Sequence, residues 1–355
     1  MSKVKCAVIG LGMGRHHAYG FRKRDDIELV GLAELNNELL QEMGKELEVE
    51  ALFEDYSEML EATKPDIVSV ALPNFLHEKV AIDAMESGAH VLCEKPLAMS
   101  VEEGERMKEV AQRCGRQLGL NLSYRFSPAG QALKQLVDDG FIGEAYHGYT
   151  RWLRRDGFPR FGGWFGKRGQ SGGGPLIDLG VHRIDLAMWL MGSPEPVSVS
   201  GAVHERIGRG RAAAEGKEFD VEDLASGMVK FENGASLLLE ASWAGLQEKQ
   251  EDMLTRVMGE RGTLIHQNIG EGYEFEARFA RSEAGQYLTG RVELNTYNAS
   301  DPYQEMVSCV KEGRPFPVDV DDGLRIQKVL DGLYQSAASG REVVFGNSSV
   351  AALEV

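Results

Sequence analysis

Cysteine is scarce in this chain: its 355 residues include only Cys6, Cys93, Cys114 and Cys309. None belongs to a C-x-x-C pair or to any other metal-ligand spacing, which argues against a zinc module and against a disulfide framework. Two of them fall in expected buried strands, where a thiol packs as a small hydrophobe. The set is therefore expected to be reduced, as in a cytoplasmic protein. Long apolar runs are missing too, and no segment approaches the ~18 residues of a membrane span. The chain passes from Met1 into a strand within a few residues, leaving no room for a signal peptide. Basic residues are in the minority, 39 Lys and Arg against 55 Asp and Glu, for a net charge of −16. That balance disfavours nucleic acid or an anionic membrane as the main partner. There is no internal repeat and no low-complexity tract.

What remains is the composition of a soluble globular protein, 43% hydrophobic and 26% charged, long enough for about two domains at ~150 residues each. Glycine is abundant, 42 residues against a usual ~7%, and predicts many tight turns and close backbone approaches.

The first third reads as a dinucleotide-binding half. Val4–Ile9 is a β-rich run that leads at once into Gly10-Leu11-Gly12-Met13-Gly14-Arg15 and then a helical stretch from His16. Strand, glycine loop, helix is the context in which a backbone turn and a helix N-terminus receive a pyrophosphate. The third glycine comes one position early, and Arg15 stands where a small residue is expected. Ile27–Ala33 reads as a second strand, ended by Glu34, 24 residues after Gly10. An acid there can accept the adenosine ribose hydroxyls and repel a 2′-phosphate, predicting NAD over NADP; a solvated loop glutamate is the plainer alternative. Helices at Glu38–Leu47, Tyr56–Glu61 and Phe75–Ser87 alternate with strands near Leu52, at Asp66–Leu72 and at Val91–Cys93. Ser100 and Glu103 form a capping box that opens the next helix, and Gln117–Asn121 is a sixth strand. This alternation predicts a doubly wound parallel sheet. Two strand ends stand out. One is Pro73-Asn74; the other is Glu94-Lys95-Pro96, where proline turns the chain out of the sheet at the edge where such folds bind ligands. Taken alone, a Glu-Lys pair at a strand end also fits a solvated turn.

After Asn121 the rhythm changes. A helix at Pro128–Asp139 and a long strand at Glu144–Arg155 precede a glycine- and aromatic-rich loop, Asp156–Gly173. A helix follows over Pro175–Leu190. Strands are expected at Val197–Val203, Glu222–Phe231, Ala235–Ala244 and Met253–Met258, with Asn233-Gly234 as a hairpin turn, and more between Thr263 and Leu294. Helices at Tyr303–Lys311 and Gly323–Ala338 close the chain, and Ile207–Glu218 is expected to be a mobile excursion. Strands in succession predict a mixed or antiparallel sheet, so the domains are placed at residues 1–122 and 123–355.

The Pro175–Leu190 helix carries Asp178 and His182, four residues apart and hence on one face. A carboxylate beside an imidazole can keep it a competent base, although a surface ion pair has the same spacing. The surrounding residues are apolar, and Ser171-Gly172-Gly173-Gly174 before them reads as a backbone-rich loop with room for a ligand. Arg151, Arg154, Arg155, Arg160, Lys167 and Arg168 stand against the single acid Asp156. That excess suits either an anionic sugar or an oligomer interface, with the interface or plain surface favoured. Trp164 and its aromatic neighbours Trp152, Phe158, Phe161 and Phe165 can stack on a sugar ring or serve as packing.

Together the Gly10–Gly14 loop, Pro73-Asn74 with His77, Glu94-Lys95-Pro96, Tyr124-Arg125-Phe126 and Gly172–Gly174 leading to Asp178 and His182 resemble the Gfo/Idh/MocA family of nicotinamide-dependent oxidoreductases, over essentially the whole chain. The resemblance implies a Rossmann domain followed by an α/β domain with a large mixed, mostly antiparallel open sheet that mediates oligomerisation as a homodimer or homotetramer, with the active site between the domains. It implies cofactor contacts from Gly10, Gly12, Met13, Gly14, Glu34, Pro73, Asn74, His77, Glu94 and Lys95. It implies substrate contacts from Lys95, Tyr124, Arg125, Trp164, Asp178 and His182, with Lys95, Asp178 and His182 catalytic, and a Lys95-Pro96 bond that is often cis. The expected activity is NAD-dependent dehydrogenation of a sugar, sugar derivative or cyclic polyol without a metal. Redox-assisted glycoside hydrolysis and a non-catalytic, nucleotide-binding regulatory role are the alternatives.

Overall fold

The computed structural model describes residues 3–297 and 301–346. Six strands form one parallel sheet: β1 (Val4–Ile9), β2 (Ile27–Ala33), β3 (Leu52–Phe53), β4 (Ile67–Val70), β5 (His90–Cys93) and β6 (Leu118–Leu120). Their order is β3-β2-β1-β4-β5-β6, the doubly wound arrangement whose direction of growth reverses between β1 and β4. β4 is buried at every position, as a strand covered on both faces must be. The helices between these strands begin where expected because the side chains of Asn36, Asp55 and Ser100 each accept a backbone N–H of the first turn. The helix expected over Phe75–Ser87 is a 3-10 turn, Asn74–Leu76, followed by an α-helix, His77–Glu86.

The remaining strands make a nine-stranded sheet: β7 (Ala145–Arg154), β8 (Pro196–His204), β9 (Leu224–Phe231), β10 (Ser236–Ser242), β11 (Glu251–Gly259), β12 (Gly262–Asn268), β13 (Phe275–Glu283), β14 (Gln286–Arg291) and β15 (Val343–Val344). They lie in the order β14-β13-β12-β11-β7-β10-β9-β8-β15. All neighbours are antiparallel except β7 and β10. β11 alternates between buried and half-buried residues along its whole length, the period of a sheet packed on one face only. On the packed face lie the helices Pro128–Asp138 and Val181–Leu190. No described helix is long and apolar enough to cross a membrane.

Contacts divide the chain into Met1–Ser123 with Ser300–Gln327, and Tyr124–Ala299 with Lys328–Val355. The expected division after residue 122 therefore misses a return of the chain. The helix Pro302–Glu312 packs on the first unit, where the Tyr303 ring lies against His17 and Phe21. The expected excursion at Ile207–Glu218 also differs: it contains a helix, Gly208–Ala214. Asp223 supplies the reason, since its Oδ2 accepts the N–H groups of Ile207 at 2.6 Å and Gly208 at 2.9 Å.

Candidate active site

In the first unit the site grows from the carboxyl ends of β1, β2, β4 and β5. Gly10 turns the chain at φ +84°, and a Cβ there would lie 2.5 Å from the Ala71 carbonyl oxygen, so only glycine lets β1 turn this close to the end of β4. At Gly12 a Cβ would meet nothing within 4 Å, leaving backbone open to a ligand. The helix Gly14–Arg22 starts without a side-chain cap, so its first N–H groups remain for an anion. Glu34 reaches back to this turn: Oε2 accepts Leu11 N–H at 2.7 Å and Oε1 accepts Asn36 N–H at 2.9 Å. A carboxylate at the glycine turn, an open glycine and an uncapped helix start fit an NAD molecule. Met13, Pro73 and Asn74 stand at the same edge. The early third glycine is accommodated because Gly14 is itself the first helical residue.

His77 and Glu94, expected at the cofactor, are both hydrogen-bonded within the protein at the ends of β4 and β5. His77 is wholly buried, with Nδ1 2.8 Å from the Pro96 carbonyl and Nε2 2.9 Å from that of Leu72. Burial pulls its pKa down, against the two carbonyls. It ties the ends of β4 and β5 together and so shapes the peptide beside Lys95. Glu94 is buried and takes His17 Nε2 at 2.8 Å and Asn121 Nδ2 at 2.6 Å on Oε1, and its Oε2 is 3.3 Å from the Lys95 N–H. Burial, the largest single influence, raises its pKa, but His17, Lys95 and Asn121 outweigh it and hold the group at about 2. The Lys95–Pro96 peptide is cis. His17 in turn contacts the Ser69 hydroxyl and lies tilted against Tyr303 with centroids 4.5 Å apart, and Asn121 Nδ2 is 3.1 Å from the Tyr303 hydroxyl. Sequence reasoning overlooked His17, Ser69, Asn121 and Tyr303. The signal was present for His17, which shares the buried face of its helix with Ala18 and Phe21.

In the second unit the expected continuous helix opens instead with a π-helical turn, Leu176–Gly180, before the α-helix Val181–Leu190. Such turns carry one extra residue and are frequent at functional sites. From Gly173 to Met188 every residue is buried except Asp178 and His182, which are half-buried. Asp178 Oδ2 accepts the Trp243 indole N–H at 3.0 Å. The His182 ring is held edge-on by Tyr124 at 5.5 Å and tilted against Trp152 at 6.0 Å. Arg183 lies wholly buried over the rings of Tyr124, Trp152 and Phe275, at 4.4, 5.4 and 5.2 Å.

Other expected substrate contacts have partners within the second unit. Arg125 is buried in an ion pair with Asp185, its Nη2 2.6 Å and its Nε 2.9 Å from Oδ1, so its charge steadies the helix. Trp164 stacks on Phe165 at 3.8 Å. Two of the glycines before Asp178 make room for neighbouring protein atoms: a Cβ on Gly173 would stand 1.9 Å from the Tyr334 hydroxyl oxygen, and one on Gly174 2.1 Å from the Glu222 carbonyl oxygen. Five of the six basic residues of that segment pair locally, Arg151 with Asp252, Arg154 with Glu251, Arg155 with Glu271, Lys167 with Glu218 and Arg168 with Glu205.

A Rossmann unit built to seat a dinucleotide, in one chain with a helical segment whose Asp178 and His182 are half-buried between buried neighbours, is what a nicotinamide-dependent oxidoreductase requires. Relatives sharpen this. Residues 4–122 match the GFO_IDH_MocA oxidoreductase family with its NAD-binding Rossmann fold, and residues 131–265 match the GFO/IDH/MocA C-terminal domain. The chain is 33% identical over 352 residues to D-glucoside 3-dehydrogenase of Escherichia coli (strain K12), which covers 96% of this chain and 97% of that one. It is 27% identical over 324 residues to myo-inositol 2-dehydrogenase of Thermotoga maritima, covering 90% and 92%. Among solved structures, aldose-aldose oxidoreductase from Caulobacter crescentus, complexed with glycerol, matches with a TM-score of 0.81 and 25% identity, over 97% of this chain and 100% of that one. The chain belongs to the GFO/IDH/MocA family and is an NAD-dependent oxidoreductase of sugars or polyols.

Proposed function

We propose that this enzyme oxidises a secondary ring hydroxyl of a D-glucoside, at position 3, with Lys95, Asp178 and His182 as its catalytic residues. The observation that carries the catalytic assignment is the burial pattern of the second unit's helix: between Gly173 and Met188, Asp178 and His182 are the two half-buried positions. A surface ion pair would sit on a solvated helix face, not between fully buried neighbours. The similarity to D-glucoside 3-dehydrogenase supports the substrate class and the position.

Bound NAD supplies the acceptor for the hydride of the carbinol carbon. The chain's own residues do the rest. His182 takes the hydroxyl proton, its ring kept in one orientation by Tyr124 and Trp152. The ammonium of Lys95 stabilises the negative charge that develops on the same oxygen. Glu94 fixes the peptide of Lys95 from beneath, and Asp178, steadied by Trp243, accepts a neighbouring hydroxyl and sets the orientation of the sugar. Glu34 favours NAD over NADP. The half-buried face of the nine-stranded sheet supports assembly into a homodimer or homotetramer, and free cysteines suit the cytoplasm. The test is NADH formation from an alkyl D-glucoside beside its 3-deoxy analogue. Turnover of the first alone is expected; turnover of both would reject position 3.

A further inference from the structure

Glu222 is the most deeply buried acid in the second unit for which the reaction has no use, with no exposed surface. Its two oxygens receive three donors. Oε2 accepts Gly174 N–H at 2.9 Å; Oε1 accepts Leu176 N–H at 3.2 Å and the Tyr334 hydroxyl at 2.8 Å. A buried carboxylate is tolerated only when its lone pairs are filled in this way.

The two residues it holds, Gly174 and Leu176, are those whose carbonyls register the Asp178/His182 segment. The Gly174 carbonyl accepts the Asp178 N–H at 3.0 Å. The Leu176 carbonyl accepts the N–H of Val181, the residue before His182, closing the π-helical turn across five residues rather than four. Glu222 thus pins the N–H groups of two residues, Gly174 and Leu176, whose own carbonyls, one peptide further along, hold the N–H groups of Asp178 and of Val181. The glycines serve this arrangement, because a side chain at Gly173 would collide with Tyr334 and one at Gly174 with the backbone of Glu222.

We infer that Glu222, with Tyr334, is a positioning residue for the reaction: it sets the π-helical turn that fixes where Asp178 and His182 stand relative to one another. This rests on the reading of Asp178 and His182 as catalytic. Neither Glu222 nor Tyr334 touches a reacting atom in this account. Their effect travels through backbone hydrogen bonds, and a shift of about 1 Å in a catalytic group can cost on the order of a hundredfold in rate.

The test uses the full chain with NAD and an alkyl D-glucoside, and compares Glu222→Gln and Tyr334→Phe with His182→Ala. Gln keeps the shape of Glu222 but turns an amide N–H₂ toward donors, so kcat should fall at least tenfold; Phe removes one donor of three and should cost about threefold. In both variants the dissociation constant for NADH, read by fluorescence titration, should stay within twofold of the parent, whereas a general loss of structure would move it as well. Parent-like kcat in a folded Glu222→Gln, with His182→Ala inactive, would overturn the positioning role alone. An active His182→Ala would instead overturn the catalytic reading. If Glu222→Gln does not fold, Tyr334→Phe decides: unchanged kcat rejects the proposal, and a fall in kcat at constant NADH affinity supports it.

Discussion

Replacing Glu94 by Gln should make the protein less stable at neutral pH and less sensitive to acid. Glu94 is held at about 2 instead of 4.5, and the unfolded chain restores the ordinary value. A carboxyl whose folded pKa is depressed contributes stability that is fully present above its unfolded pKa and is lost as pH falls through the folded one. The window here runs from about pH 4.5 down to about pH 2. At ~1.4 kcal/mol per pKa unit the linked stability near neutrality is about 3 kcal/mol, with about 2 kcal/mol of it gone by pH 3. The group is buried among His17, Asn121 and the Lys95 peptide, so solvent screening does little to reduce this figure. Urea unfolding of parent and variant, followed by far-ultraviolet circular dichroism between pH 7 and pH 3, measures it. The gap between the two should be constant from pH 7 to pH 5 and close by about 2 kcal/mol at pH 3. A gap that does not change with pH would refute the ionised, partnered state of Glu94, and one that widens in acid would reverse its sign.

Other outcomes follow from the same geometry. Gly173→Ala places a methyl group 1.9 Å from the Tyr334 oxygen and should destabilise by about 2 kcal/mol or more; a melting temperature within a degree of the parent would contradict that packing. Glu34→Ser removes the charge that repels a 2′-phosphate and the carboxylate that accepts the Leu11 and Asn36 N–H groups. The ratio of kcat/KM for NADP to that for NAD should rise at least tenfold, and an unchanged ratio would detach Glu34 from cofactor choice.

Much of this architecture was legible in the residues. Apolar strands alternating with capped helices identify a doubly wound sheet because local propensity and long-range packing agree there. Asn233-Gly234 was equally plain, and β9 and β10 do meet at that turn. Other features depend on partners far away in the chain. The return of Ser300–Gln327 to the first unit has no local mark, since an amphipathic helix does not say which unit buries it. The π-helical turn at Leu176–Gly180 was hidden because periodicity over so few residues does not separate 3.6 per turn from one inserted residue. Glycine announces a close approach but not what approaches; at Gly173 it is Tyr334 and at Gly174 it is Glu222. Asp178 and His182 were found by their spacing. Their standing as the only half-buried positions of that segment came from tertiary burial.

In the proposed reaction Lys95 serves as the cation and His182 as the base. Steady-state NADH production from an alkyl D-glucoside with the parent, Lys95→Ala and His182→Ala, all shown to be folded, tests both roles. Each variant should lose at least a hundredfold in kcat, the range of general acid–base and electrostatic contributions. For His182→Ala, NADH affinity should match that of the parent. Turnover within a few-fold of the parent in either variant would contradict the account.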